Sequence, residues 1–384
     1  MQLKEAPKPT VALLLRITCF FWLLAKVISR KVWGSDRFFP VVPLFGFLDN
    51  VPGWVHGLLF GAALICLVLL IIKPSGKYLL PVLIIIEICS CSLDQNRWQP
   101  WEYQYLFTIF IIAINRNNYN VARYAFTFLL ITTYIYSGLN KMSIAFLHTI
   151  WDRMILTAFL KLPAHVAHNG VVYYSGYLLG IIECAAGIGL FFPRLKKLSA
   201  WVLIGMHLFN LLFLGPFGLK YNKIIWPWNV VMIVYLYILF IRKDSVPISF
   251  SHFYQLRKGY NKLVILCWGI LPAFSFIGWW DNYLSSSLYS GRVPTMAICI
   301  NNPDSLTSLR PYFSKTDTLH ICDGAALINT QSWALKEINV PPYPEQRVYK
   351  KIQEKFSQKY PGVQCKYVLY HYTYNGELIK QELK

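Results

Sequence analysis

Charge is what this 384-residue chain has least of. Only 14% of its residues are Asp, Glu, Lys or Arg, against about 25% in a soluble globular domain. Such a chain cannot cover a soluble body of this size with charge, and its 55% hydrophobic content places it among polytopic helical membrane proteins. Acids are scarcer still, 18 against 37 bases. The resulting net charge of +19 would suggest nucleic acid in a soluble protein. Here the bases cluster between apolar runs, so the positive-inside rule is the simpler cause and no nucleic acid is expected. An N-x-Ser/Thr sequon is also absent, which favours a bacterial envelope over a eukaryotic secretory membrane. No small-residue cleavage site follows the apolar run near Val11, so that run reads as a first membrane helix rather than a signal peptide. No second pair matches Cys89 and Cys91, and no metal site is expected.

What is there is a succession of apolar stretches near spanning length: residues 11–28, 54–72, 79–93, 104–115, 121–140, 171–192, 198–215, 225–241 and 263–281. A helix needs about 20 apolar residues to cross a bilayer, and the third and fourth stretches are short by that measure. The expected fold is an all-α polytopic membrane helical bundle of about nine spans over residues 1–284, followed by a small α+β extramembrane domain over 285–384. Alternate loops are basic and nearly free of acids: Lys4 and Lys8, Lys73 and Lys77, Arg116 and Arg123, Arg194, Lys196 and Lys197, then Arg242, Lys243, Arg257, Lys258 and Lys262. The other loops mix signs, with Arg30, Lys31, Asp36, Arg37 and Asp49 in the first and Asp94, Arg97 and Glu102 in the second. This alternation predicts an N-terminus inside and the C-terminal domain outside, in a bacterial inner membrane.

Within the C-terminal part, Thr295–Ile300 and Thr318–Cys322 read as strands. Ser305–Phe313 reads as a short helix capped by Asp304 or Ser305. Pro344 to Tyr360 reads as a helix with Val348, Ile352 and Phe356 on one face. Cys365–Thr373 and Leu378–Leu383, joined at Asn375-Gly376, read as a hairpin. This part carries no nucleotide-binding, HExxH or GxSxG motif. Cys299, Cys322 and Cys365 allow one disulfide, with one thiol left over.

Ionisable groups in apolar spans are functional candidates by default. Lys141 ends the fifth stretch, after Ser137-Gly-Leu-Asn140. It reads either as a snorkelling lysine or as a buried base, since burial makes a lysine easier to deprotonate. Glu183 lies in the sixth stretch, where it could pair with Lys141 or His207 or lock two helices together. His207 lies in the seventh with Asn210 one turn on, either a satisfied core imidazole or a proton relay. Glu87 resembles Glu183, and Arg16 reads as structural. The segment Asp94-Gln-Asn-Arg-Trp-Gln-Pro-Trp-Glu-Tyr-Gln-Tyr105 reads either as an interfacial aromatic belt or as a pocket rim of Asp94, Trp98, Trp101, Tyr103 and Tyr105.

The order of these features resembles the vitamin K-dependent gamma-carboxylase family and its bacterial relatives, the horizontally transferred transmembrane (HTTM) domain proteins. The quoted segments are Ala12-Leu-Leu-Leu-Arg-Ile-Thr-Cys19, Phe39-Pro-Val-Val-Pro43, Val51-Pro-Gly-Trp54, Asp94-Gln-Asn-Arg-Trp98 with Tyr103 and Tyr105, Ser137-Gly-Leu-Asn-Lys141, Trp151, and His207 with Asn210. The likeness runs over roughly residues 10–240. It implies that Lys141 is the base that deprotonates a quinol, with a menaquinone-like lipid as cofactor. Where the carboxylases have a histidine in the aromatic loop, this chain has Trp101. Its C-terminal part is also far smaller than their lumenal region, which sets glutamate carboxylation itself in doubt. The reading is therefore a membrane enzyme with a pocket for a lipid-soluble quinone-like or isoprenoid ligand. Lys141 acts as base with His207 in the catalytic set, and Asp94, Trp98, Trp101, Tyr103, Tyr105, Asn210 and Glu183 are expected around the ligand. A protein or peptide partner is expected at 285–384. The alternatives are a non-enzymatic scaffold whose tail binds a partner in envelope assembly, and a transporter.

Overall fold

The computed structural model describes residues 8–74, 76, 78–243, 250–303 and 306–383. Lys4, Lys77 and the cap expected at Asp304 or Ser305 lie outside the described residues. Among the described residues, the longer helices of the first part are α1 Lys8–Ile28, α2 Gly53–Ile72, α3 Leu79–Leu93, α4 Pro100–Ile114, α5 Tyr119–Asn140, α6 Leu147–Phe159, α7 Gly170–Gly189, α8 Lys196–Leu214, α9 Ile225–Ile241 and α10 Asn261–Ile277. All nine apolar stretches are helical, but the expected nine spans are not all met. Among the described residues, Pro9–Ile28, Gly53–Ile72, Gly170–Gly189 and Lys196–Leu214 are long and apolar enough to cross a membrane. A fifth is reached if Ser251–Arg257 and α10, bent by 112°, form one broken span.

The shortfall has a physical cause. Helices α4 and α5 lie inside the bundle and most of their residues are buried. A helix enclosed by other helices can carry Gln104, Thr108, Thr127, Thr132 and Thr133 against protein rather than lipid, which lowers its hydropathy without exposing polar groups. Helices α3 and α9 are apolar but short.

The C-terminal part is a four-stranded antiparallel sheet in the order β2-β1-β3-β4, with β1 Thr295–Ile300, β2 Ala326–Asn329, β3 Cys365–Tyr372 and β4 Leu378–Glu382. The period of two divides its faces. Met296, Ile298 and Ile300 pack on one side with α11 (Thr330–Ile338) and α12 (Gln346–Lys359). Ala297 and Cys299 face the other side with Ile321, Cys322 and Val368. Val348, Ile352 and Phe356 form the buried stripe of α12, as their spacing predicts. The expected strand at Thr318–Cys322 is instead a turn. The Asp317 carboxylate accepts N–H bonds from Ile321 (2.9 Å) and Cys322 (2.8 Å), and Cys322 is disulfide-bonded to Cys299. The true partner strand is Ala326–Asn329, which begins just beyond that turn.

The sheet part is seated on one end of the helices. Asn339 Nδ2 donates to Ile28 O (3.0 Å), and Gln99 Nε2 to Pro341 O (2.9 Å). The Tyr343 amide donates to Asn96 Oδ1 (3.1 Å), and Gln331 Nε2 to Tyr221 OH (2.8 Å). Glu337 accepts the amides of Phe38 (2.5 Å) and Phe39 (3.1 Å) together with Trp333 Nε1 (2.8 Å). The two parts share one apolar core. Gly180 of α7 lies against Gly138 of α5 and Gly187 against Tyr134, so α7 runs antiparallel to α5 and carries Arg194 and Lys197 toward the end of the bundle that holds Arg116 and Arg123, away from Lys141 and the sheet part.

Candidate functional site

Helices α5 and α7 pack closely because glycine removes the side chains between them. A Cβ on Gly138 would lie 2.6 Å from both Cys184 N and Gly180 O, and one on Gly180 would lie 2.8 Å from Gly138 O. Close approach through small residues is the usual way apolar helices pack in lipid, where dispersion replaces the hydrophobic effect. The approach carries Lys141, at the end of α5, to Glu183 on α7. Lys141 Nζ donates to Glu183 Oε2 (2.6 Å) and to Ser137 Oγ (2.6 Å). The lysine side chain is 17% exposed and the glutamate 9%. Lys141 therefore points inward rather than snorkelling outward, and of Glu183's two expected partners it is the one engaged.

This pair borders a cavity of about 350 Å³, within the size range of small-molecule sites. Leu179, Phe209, Phe213 and Met232 supply apolar wall, and His207, Asn210 and Asn229 supply polar atoms. His207 is fixed at both nitrogens. Asn229 Nδ2 donates to Ile225 O (2.8 Å), which turns its Oδ1 toward the imidazole, so His207 Nδ1 donates to it (2.8 Å). In the neutral ring Nε2 is then the acceptor, and Tyr134 OH donates to it at 2.8 Å. Both ring nitrogens are thus satisfied, with the proton at Nδ1 and the Tyr134 hydroxyl at Nε2.

Of the expected site residues, Lys141, Glu183, His207 and Asn210 come together on this cavity. Asp94, Trp98, Trp101, Tyr103 and Tyr105 do not line it. Asp94 organises the loop instead: its Oδ1 accepts the Val42 (3.1 Å) and Asn96 (3.2 Å) amides, and its other oxygen pairs with Arg37. Trp101, Tyr103 and Tyr105 are core residues. Tyr103 stacks on Trp268 at 4.9 Å between centroids, and Trp101 packs edge-on against Trp33 and Tyr105. Trp98 meets Tyr103 edge-on. The rim reading of this loop gives way to a packing role because its rings point into the bundle. Trp151 Nε1 donates to Val172 O (2.9 Å), tying α6 to α7.

Sequence reasoning missed a second polar cluster. Lys26 and Glu87 are fully buried, their side chains 0% exposed, and Lys26 Nζ lies 2.8 Å from Glu87 Oε2. Glu102 Oε1 lies 3.4 Å from the same nitrogen and is equally buried, and Trp22 Nε1 donates to Glu102 Oε2 at 2.6 Å. The ammonium sits 3.2 Å from the centroid of the Trp33 ring, a cation–π contact. The available signal was helical phase: Lys26 follows the buried Cys19 and Trp22 by seven and four residues, which puts it on the core face of α1. Asn229 and Tyr134 were missed for want of any local mark beyond a polar residue in an apolar helix.

No family model, no curated protein and no solved structure matches this chain.

Proposed function

We propose that this is a membrane enzyme that binds a lipid-soluble, hydroxyl-bearing ligand of quinol or isoprenoid type and deprotonates it with Lys141. The observation that carries the reading is the Lys141–Glu183 pair at the border of an apolar cavity that also holds His207. The proton balance is simple. Lys141 takes the ligand's hydroxyl proton as it hands one of its own to Glu183, and the ammonium that remains faces the new oxyanion. A preorganised positive charge in a dry site favours that anion far more than water-exposed charge would. The orientation belongs to the same proposal: the basic end of the bundle lies inside a bacterial inner membrane, and the cavity and sheet lie on the outer side. The resemblance to vitamin K-dependent gamma-carboxylases and HTTM proteins points the same way, toward a menaquinone-like ligand, without extending to glutamate carboxylation.

The test is lipid-extract mass spectrometry of the gently purified protein, wild type beside Lys141→Ala. A quinone or polyprenyl species enriched with the wild type supports the reading. A bound naphthohydroquinone analogue should show its anion's absorbance with the wild type and not with Lys141→Met. No enriched species in either protein removes the reading and leaves the scaffold. That alternative is favoured by one observation, that the same ion pair also ties α5 to α7.

A further inference from the structure

A second cavity, of about 260 Å³, lies between the sheet part and the end of the helices. It shares Ile150, Leu288 and Tyr289 with the first cavity, so these residues stand between the two. The partition is an unusual piece of backbone. Ser286 and Tyr289 both sit in the left-handed region, at φ 56° and 61°. A non-glycine residue there costs energy and persists only where the surroundings demand it.

The two chambers differ in chemistry. The first is apolar with one ion pair at its border. The second is walled by tyrosines, including Tyr221, Tyr283 and Tyr370, with Arg153 and His371. Among the described residues no aspartate or glutamate lines it. Arg153 is exposed, so the chamber reaches water beside it. Its Nη2 donates to His148 Nε2 (2.9 Å), and no carboxylate pairs with it among the described residues. Asp152, next to it in sequence, faces His168 instead at 3.4 Å. A guanidinium and several hydroxyl donors without an acid are suited to a phosphate ester, which takes charge-assisted bonds from such a set.

We infer that the two chambers hold one amphiphile end to end: its apolar chain in the first, beside Lys141, and a phosphate-bearing head beyond Leu288 and Tyr289 against Arg153. This rests on the reading of the first cavity as a lipid site, and the experiment keeps the two apart. Farnesol, farnesyl phosphate and inorganic phosphate would be titrated into the full chain in nanodiscs, with Arg153→Gln and the charge-keeping Arg153→Lys alongside. One charge-assisted contact is worth about 1.5–3 kcal/mol, hence at least about tenfold in affinity. Farnesyl phosphate should therefore bind about tenfold or more tighter than farnesol to the wild type and to Arg153→Lys, and no tighter to Arg153→Gln. Equal binding of alcohol and phosphate, or an advantage that survives Arg153→Gln, overturns the second chamber and leaves the first. Inorganic phosphate displacing the lipid's head while the chain stays bound equally tightly overturns the single-amphiphile arrangement. Failure of both lipids to bind overturns the first cavity as well.

Discussion

Replacing Lys26 by methionine should unsettle the whole bundle, although Lys26 lies far in sequence from every residue of the cavity. Its ammonium meets Glu87 at 2.8 Å and Glu102 at 3.4 Å with no exposed surface on any of the three. At an effective dielectric of about 20, each such contact is a gross attraction of about 4–6 kcal/mol. The desolvation of each ion costs several kcal/mol, so the cluster is close to balance as a whole. Removing the lysine alone breaks that balance. Glu87 and Glu102 are left facing each other without a cation, and Trp33 loses the charge over its ring. The expected loss is about 3–5 kcal/mol, the usual cost of orphaning a buried charge. The triple variant Lys26→Met/Glu87→Gln/Glu102→Gln keeps the volumes and removes the charges. The glutamine at 102 can still accept from Trp22 Nε1. It should recover most of the loss. Reversible unfolding in mixed micelles, followed by tryptophan fluorescence, measures both proteins. A triple variant as unstable as Lys26→Met alone would refute the reasoning, because it would mean that the lost ion contacts, and not the orphaned carboxylates, carry the cost.

Three further outcomes follow from the geometry. Gly138→Ala puts a methyl group 2.6 Å from the backbone of α7; it should cost about 1–3 kcal/mol of stability by overpacking, and unchanged unfolding would show that the two helices part easily. Asp317 gives a pH dependence: burial acts to raise its carboxyl, but the N–H groups of Ile321 and Cys322 outweigh that and hold it below the ordinary 3.8. With the folded value below the unfolded one, its contribution is complete above pH 3.8 and fades as pH falls through the folded value, so amide protection at residues 321 and 322 should drop only in that acid range and the drop should vanish in Asp317→Asn. Glu337→Gln weakens the acceptor for the Phe38 and Phe39 amides; hydrogen exchange at those two amides should quicken by about tenfold, equivalent to the loss of one charge-assisted bond, while the exchange of α12 stays as it was.

Much of the sheet part is legible in the sequence because its signals are local. Alternation marks Thr295–Ile300, the four-residue spacing of Val348, Ile352 and Phe356 marks α12, and Asn375-Gly376 marks the hairpin. Residues 318–322 mislead because a β-like composition there serves a carboxylate-bound turn, and the amides that bind Asp317 leave no trace in hydropathy. In the helical part, polar residues in apolar runs led to Lys141, Glu183, His207 and Asn210, and the cavity gathers all four. The same logic passed over Lys26, because a lysine near a helix end looks like a flanking charge and its partners lie 61 and 76 residues away. It placed Asp94 and the aromatic loop around a ligand because residue type alone does not tell a ring that lines a space from one that fills it.

The bonds from Glu337 to Phe38 and Phe39 reach across 299 and 298 residues of chain. During synthesis those two amides leave the ribosome long before their acceptor exists, and α2 to α10 are made in between. The first loop thus stays open until α11 arrives to close it. For a cell that inspects its unfinished proteins, an uncovered Phe39 is a timestamp: its ring is buried against Trp333 in the finished fold, and until then it marks a chain still waiting for its own C-terminal part.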